Sequence, residues 1–266
     1  MARPARRLPA ASSPARLVAI ALVAASALLA SPPACLADGS LTAARPGDPG
    51  MPAHPAALLV GHLERFLKDH DLDAFRRGVE ARYTEGTLCR ATYADDVRIR
   101  RAAVLALGVG GSYACNATVA RRLKDKDPAT RSMAVSALWA IWSRADTPEN
   151  NAELEAIQAL IQGGRHDEAI RRSGRLVERA PTFAEAYNQR AIAYFHSRRF
   201  AESAADCRRV LDLNPYHFGA LAGLGQCQLG LRQRAEAIRT FRRALELQPY
   251  SGDLRETVAE LEAAED

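Results

Sequence analysis

Pro181, Pro215 and Pro249 stand 34 residues apart, and the residues ahead of each repeat in step. Thirteen and twelve positions before the prolines lie Glu168-Ala169, Glu202-Ser203 and Glu236-Ala237. Six before lie Arg175, Arg209 and Arg243, and three before lie Glu178, Asp212 and Glu246. Inside each unit the small or apolar residues recur at three or four positions: Ala169, Ser173, Leu176; Ser203, Cys207, Val210; Ala237, Phe241, Ala244. That is the spacing of one helix face. Proline cannot continue a helix, so each proline closes its unit. A unit this small cannot bury its own apolar face, so the units must stack.

The block from about Asn150 to Pro249 resembles the tetratricopeptide repeat, a 34-residue helix–turn–helix unit. Tyr187 and Leu221 stand 28 residues before their prolines, and Ala191 and Gly225 stand 24 before, alternating large and small as in that family. Unit one departs from the pattern, with Glu153 and Ile157 at the equivalent places. Residues 252–264 read as an amphipathic capping helix with Leu254, Val258 and Leu261 on one face. The resemblance implies an all-α, right-handed α-solenoid of helix pairs, with three units and a cap over residues 147–266. It also implies a non-catalytic, groove-forming scaffold for a protein or peptide partner. By family position the groove is lined by Leu154, Gln158 and Ile161, then Glu185, Asn188, Ile192 and Phe195, then Gln226 and Leu229. Phe195 is expected to be its most exposed apolar anchor. Some members clamp a C-terminal carboxylate with Lys, Asn and Arg. Here Leu154, Gln158, Asn188, Ala222 and Gln226 occupy those places, so no cations converge.

A second period lies upstream. Asp96, Arg100, Ala103, Val104, Ala106 and Leu107 recur 31 residues later as Asp127, Arg131, Ala134, Val135, Ala137 and Leu138. An Asp before a helix, an Arg one turn in and an Ala/Leu stripe resemble HEAT-type repeats, and residues 56–146 are assigned to them. The resemblance implies that the Asp caps its helix and the Arg braces the neighbouring unit. Ala56–Lys68 and Leu72–Tyr83 read as a degenerate first pair, and residues 84–95 carry no clean period. Trp139 and Trp142 are expected either at the junction of the two arrays or inside the HEAT-like core.

The N-terminus has the form of a signal peptide over residues 1–37. Arg3, Arg6, Arg7 and Arg16 precede an uncharged run from Leu17 to Ala30, and Ala37 fits the cleavage position. The run is too short to span a bilayer as a helix. Export to a periplasm or the extracellular space is expected, with an organelle lumen as the alternative. Membrane association is expected only if the leader is retained or lipidated at Cys35. Removing the leader takes away four arginines and no acids, lowering the formal charge from +5 to +1. A near-neutral chain offers nucleic acid little attraction. Residues 38–55, rich in Pro and Gly, read as a flexible linker.

Signatures of chemistry are weak. No P-loop, nucleophile elbow or HExxH occurs. Gly108, Gly110 and Gly111 follow no strand and read as a turn in which glycine relieves a strained φ. His62 and His70 lie eight residues apart, two helical turns, which does not suit one zinc ion. No catalytic, cofactor or metal residue is therefore assigned. An enzyme site within residues 56–95, using Asp69, His70 or Glu85, is one rival reading, and a structural part of an envelope or secretion assembly is another. Cys207 and Cys227 fall on helices that pack together in this family, which implies a possible disulfide. Cys89–Cys115 is a second pairing, but Cys89 lies in no assigned element. Asn116-Ala117-Thr118 matches a glycosylation sequon within an expected helix.

Overall fold

A computed structural model describes residues 55–263, so the leader, and all of the linker but Pro55, fall outside the described residues. Thirteen α-helices and two short 3-10 turns carry the described chain, with no strand among these residues. The N-terminal part comprises α1 (Pro55–Asp69), α2 (Leu72–Glu80), α3 (Glu85–Ala91), α4 (Val97–Gly110), α5 (Asn116–Arg121) and α6 (Pro128–Ser143). The 3-10 turns Tyr113–Cys115 and Arg122–Lys124 flank α5. Three helix pairs follow: α7 (Pro148–Gln162) with α8 (His166–Arg179), α9 (Ala184–His196) with α10 (Phe200–Leu213), and α11 (Phe218–Gly230) with α12 (Arg234–Leu247). Helix α13 (Gly252–Ala263) closes the array by laying Leu254, Val258 and Leu261 against Phe241. The fold is the all-α solenoid of helix pairs that the periods imply.

The 34-residue period is written into the backbone. Gly164, Arg198 and Arg232 stand 34 apart, each the residue of its helix–helix turn with positive φ, at 73°, 60° and 62°. The same turn bonds recur around them: Arg165 N–H to Leu160 O, Arg199 to Tyr194 and Gln233 to Gln228. Glycine adopts this left-handed conformation freely, whereas two arginines hold it against strain of about 1–2 kcal/mol each. Tertiary packing must therefore impose the turn. In unit one Glu153 does not sit in the core; it pairs with Arg172, while Leu154, Ile157 and Ile161 pack with Leu176, Phe183, Ala186 and Ala193.

The upstream period is equally visible in hydrogen bonds. Asp96 caps α4 by accepting from Arg98 N–H, and Asp127 caps α6 by accepting from Thr130 N–H. Arg100 donates to the carbonyls of Ala94 and Asp95, and Arg131 does the same to Asp125 and Lys126. Arg100 also forms a two-pronged pair with Asp125, and Arg101 another with Asp127, tying one unit to the next. No further Asp follows for Arg131, which lies 4.0 Å over the ring of Tyr250 instead.

The glycine run has a different role from the strained turn expected, because none of the three has positive φ. Gly108 lies inside α4 where α6 crosses; a Cβ there would sit 2.9 Å from Ala137 Cβ, so glycine sets the approach of the two helices. A Cβ on Gly111, the C-cap, would meet Leu107 O at 2.6 Å. Arg144, beyond α6, completes that helix end by donating to the carbonyls of Leu107, Gly108 and Gly111. Burial lowers the Arg144 pKa there.

The Asp127 carboxyl is pushed up by burial, but hydrogen bonds from Arg101 and Thr130 outweigh that and hold it well below the usual carboxylate range. Its folded pKa lies below its unfolded one, so its stabilisation is complete above about pH 4 and drains away as pH falls toward the folded value. Asp127→Ala is expected to cost about 2–3 kcal/mol at neutral pH, combining a lost cap with a broken, largely buried pair. Denaturant melts at pH 7 and pH 3 check it: the wild-type advantage over the variant should shrink on acidification.

Candidate functional site

The first helices of the pairs, α7, α9 and α11, lie side by side and form the inner face, while α8, α10 and α12 pack behind them. Part of that inner face is covered by the chain itself. Helix α6 packs against α9 and against the turn into α11. Trp142, 2% exposed, stacks on His217 with ring centres 4.2 Å apart and planes 20° from parallel. Trp139 meets His217 and Phe218 edge-on, at 5.3 Å each. The tryptophans thus mark the junction of the arrays and also belong to the N-terminal core, so both expected placements hold together.

A buried polar chain runs through this contact. Trp142 Nε1–H donates to Asn116 Oδ1 at 2.8 Å, and Asn116 Nδ2–H donates to Asn214 Oδ1 at 2.9 Å. Both sides of the Asn116 amide are spent inside the fold, which closes the sequon. His217 Nδ1 accepts from Ala220 N–H, so the proton sits on Nε2 and points to Glu185 Oε2 at 3.0 Å. The other Glu185 oxygen accepts from Asn188 and Gln189 at 2.9 and 2.7 Å. A carboxylate 1% exposed is tolerable because three donors satisfy it.

The nine residues expected to line an open groove therefore divide. Leu154, Gln158 and Ile161 are buried, and the two apolar ones belong to the unit-one core. Gln158 leaves its Nε2 without a hydrogen-bond partner. Glu185 and Asn188 are buried in the polar network beside His217. Ile192, Phe195, Gln226 and Leu229 are half-buried. Phe195 is not the free aromatic expected: it packs on Phe200 with ring centres 5.5 Å apart and so contributes to the fold. The carboxylate-clamp positions stay without a cation, and three of the five are buried.

The rival site over residues 56–95 divides as well. Asp69 and His70 are exposed, and Glu85 lines a cleft with Phe75, Val79, Tyr83 and Val109. The Glu85 carboxylate is occupied structurally, accepting from Ser112 N–H at 2.8 Å and Ser112 Oγ at 2.9 Å. Burial raises its pKa, and the bonds from Ser112 and Cys115 more than reverse that. Among the described residues no group of His, Cys, Asp and Glu is placed to hold a metal ion, and no helix is long and apolar enough to cross a membrane. Cys89, Cys115, Cys207 and Cys227 are all free thiols, so the expected Cys207–Cys227 bond is not formed here; Cys227 Sγ instead hydrogen-bonds Ser203 Oγ at 3.0 Å.

A family model for HEAT repeats matches residues 86–177, and models of the tetratricopeptide repeat match 184–217 and 218–251. The chain thus carries HEAT-type repeats followed by tetratricopeptide repeats. The HEAT match continues through α7 and most of α8, the pair that departs from the 34-residue pattern at Glu153 and Ile157. Among curated relatives, a TPR repeat-containing protein of Rhizobium etli is 23% identical over 51% of this chain and 66% of its own length. A DnaJ homolog subfamily C member 7 homolog of Dictyostelium discoideum is 28% identical over 30% of this chain. This chain spans about two thirds of the first relative and 15% of the second. Among solved structures, the first TPR of Spaghetti bound to an HSP90 peptide is 25% identical, covering 45% of this chain and 94% of that one, with a TM-score of 0.43.

Truncating Trp142 to Ala removes the stacked ring and orphans half of Asn116. A loss of about 3–5 kcal/mol is expected, typical of a buried aromatic. Calorimetry should then resolve two transitions in place of one, as the HEAT and tetratricopeptide regions uncouple. A single transition with a loss below about 1 kcal/mol would place the coupling elsewhere.

Proposed function

We propose that this protein is a non-catalytic scaffold that binds a protein segment on the uncovered part of its inner face. One observation carries the reading: helix α6 covers Glu185 and Asn188 near the start of α9, whereas Ile192, Phe195, Gln226 and Leu229, toward the ends of α9 and α11, remain half-exposed. This leaves an apolar strip with one amide, suited to a segment that offers apolar side chains and a backbone to hydrogen-bond. The absence of converging cations argues against a carboxylate-terminated tail as the ligand. Repeats of both families present extended surfaces of this kind.

A photo-crosslinking residue at Gln226 is expected to trap a discrete protein adduct in cells. The same residue at Arg208, on the exposed outer helix α10, should trap none. Adducts from Arg208 alone, or from neither position, would count against the inner face.

The compartment belongs to the same proposal. The basic, apolar and small-residue regions of the leader support export, with the mature chain starting near Asp38. N-terminal sequencing of protein from fractionated cells is expected to start there, outside the cytoplasm. Recovery of chains that retain Met1 in the cytosol would remove this part of the reading.

A further inference from the structure

One close pair of thiols lies outside the inner face. Cys89 sits on α3 and Cys115 ends the 3-10 turn before α5, 26 residues on, yet their Sγ atoms are 3.0 Å apart. That is within about 1 Å of the roughly 2.05 Å of a disulfide bond, so small side-chain rotations suffice to close it. The two segments are already clamped together, because Glu85 at the start of α3 takes both the Ser112 N–H and the Ser112 hydroxyl. Access is unequal: Cys115 is buried and Cys89 is half-buried. The second close pair, Cys207 and Cys227, differs in this respect, since both thiols are buried between α10 and α11.

We propose that Cys89 and Cys115 form a redox site, closing to an intramolecular disulfide by exchange with a disulfide oxidant, with Cys89 as the entry thiol. The Cys89 thiolate attacks one sulfur of the oxidant; the oxidant's S–S bond breaks and its first thiolate leaves, taking up the proton that Cys89 gave to solvent. Cys115 then attacks Cys89 Sγ, and its proton passes to the departing oxidant sulfur. The mixed disulfide breaks and the second oxidant thiolate leaves as a thiol. Two protein S–H bonds and one oxidant S–S bond are thus exchanged for one protein S–S bond and two oxidant thiols. Burial raises the Cys115 pKa, with its bonds to Cys89 and Glu85 adding to the rise, which suits a resolving thiol better than an entry thiol.

The site lies beside the junction. The turn that carries Cys115 also places Tyr113, whose hydroxyl donates to Leu213 O, and leads into Asn116, which bridges Trp142 and Asn214. Fixing that turn to α3 stiffens the HEAT side of the contact.

The test equilibrates the full chain over a series of reduced-to-oxidised glutathione ratios, quenches with an alkylating agent, and maps peptides by mass. The expected product is a single Cys89–Cys115 bond. Cys207 and Cys227 should be alkylated only after unfolding, and the oxidised form should melt at a higher temperature. Cys207→Ser should oxidise as the wild type does. Cys89→Ser should lose the reaction, and Cys115→Ser should stop at the glutathione adduct on Cys89. The proposal is overturned by a chain whose mass never changes across the series, by a bond confined to Cys207–Cys227, or by a wild-type glutathione adduct on Cys89 that never resolves.

Discussion

The face of Trp142 resting on His217 is the contact that converts two stacks into one body. In an open solenoid each repeat touches only its neighbours, and stability is close to a sum of local terms. Here a side chain on α6 meets a residue 75 positions later, at the turn between the second and third helix pairs. The stacked pair excludes water from a polar chain that begins at Asn116 and from another that ends at Glu185. Neither would persist if exposed, because its bonds are worth more in a low-dielectric setting and cost more when broken there. The aromatic contact and the polar contacts therefore stand or fall together.

Repetition supplies the parts and their interruption joins them. Arg100 and Arg131 close the same local ring of carbonyls, and only then do their surroundings diverge. Arg100 finds Asp125 in the next unit, whereas Arg131 finds no acid and lies on Tyr250. That contact joins the end of the HEAT stack to the residue that follows the last proline of the tetratricopeptide array. Likewise, Glu153 in a place that a bulky residue fills elsewhere puts a half-buried ion pair with Arg172 where the other units carry aromatic or aliphatic packing.

How much of this was legible in the sequence follows from how local each signal is. The three helix pairs, the cap, and the roles of Asp96 and Asp127 are set by residues a turn or one repeat apart, and periodicity exposes them. Helix α3 has only seven residues, too few for a period, so the element that carries Cys89 and Glu85 left no trace beyond Thr84 at its cap. The burial of Glu185 and Asn188 comes from Trp142 and His217, whose meeting no spacing announces. Gly108 admits a crossing helix, and in a sequence such a glycine looks like one that relieves φ. Phe195 faces its own unit's next helix through Phe200, a contact that depends on the turn between them.

The covered face also constrains how any partner binds. A ligand that needs Glu185 or Asn188 must first displace α6, and its apparent affinity falls by the fraction of molecules in which that helix is undocked. With the aromatic stack and the Asn116 bridge both opposing separation, that fraction is small. A ligand that uses Ile192, Gln226 and Leu229 meets no such barrier, since those side chains are already half-exposed with α6 in place. The same stack therefore sets both the stability of the chain and which part of its inner face is open to recognition without rearrangement.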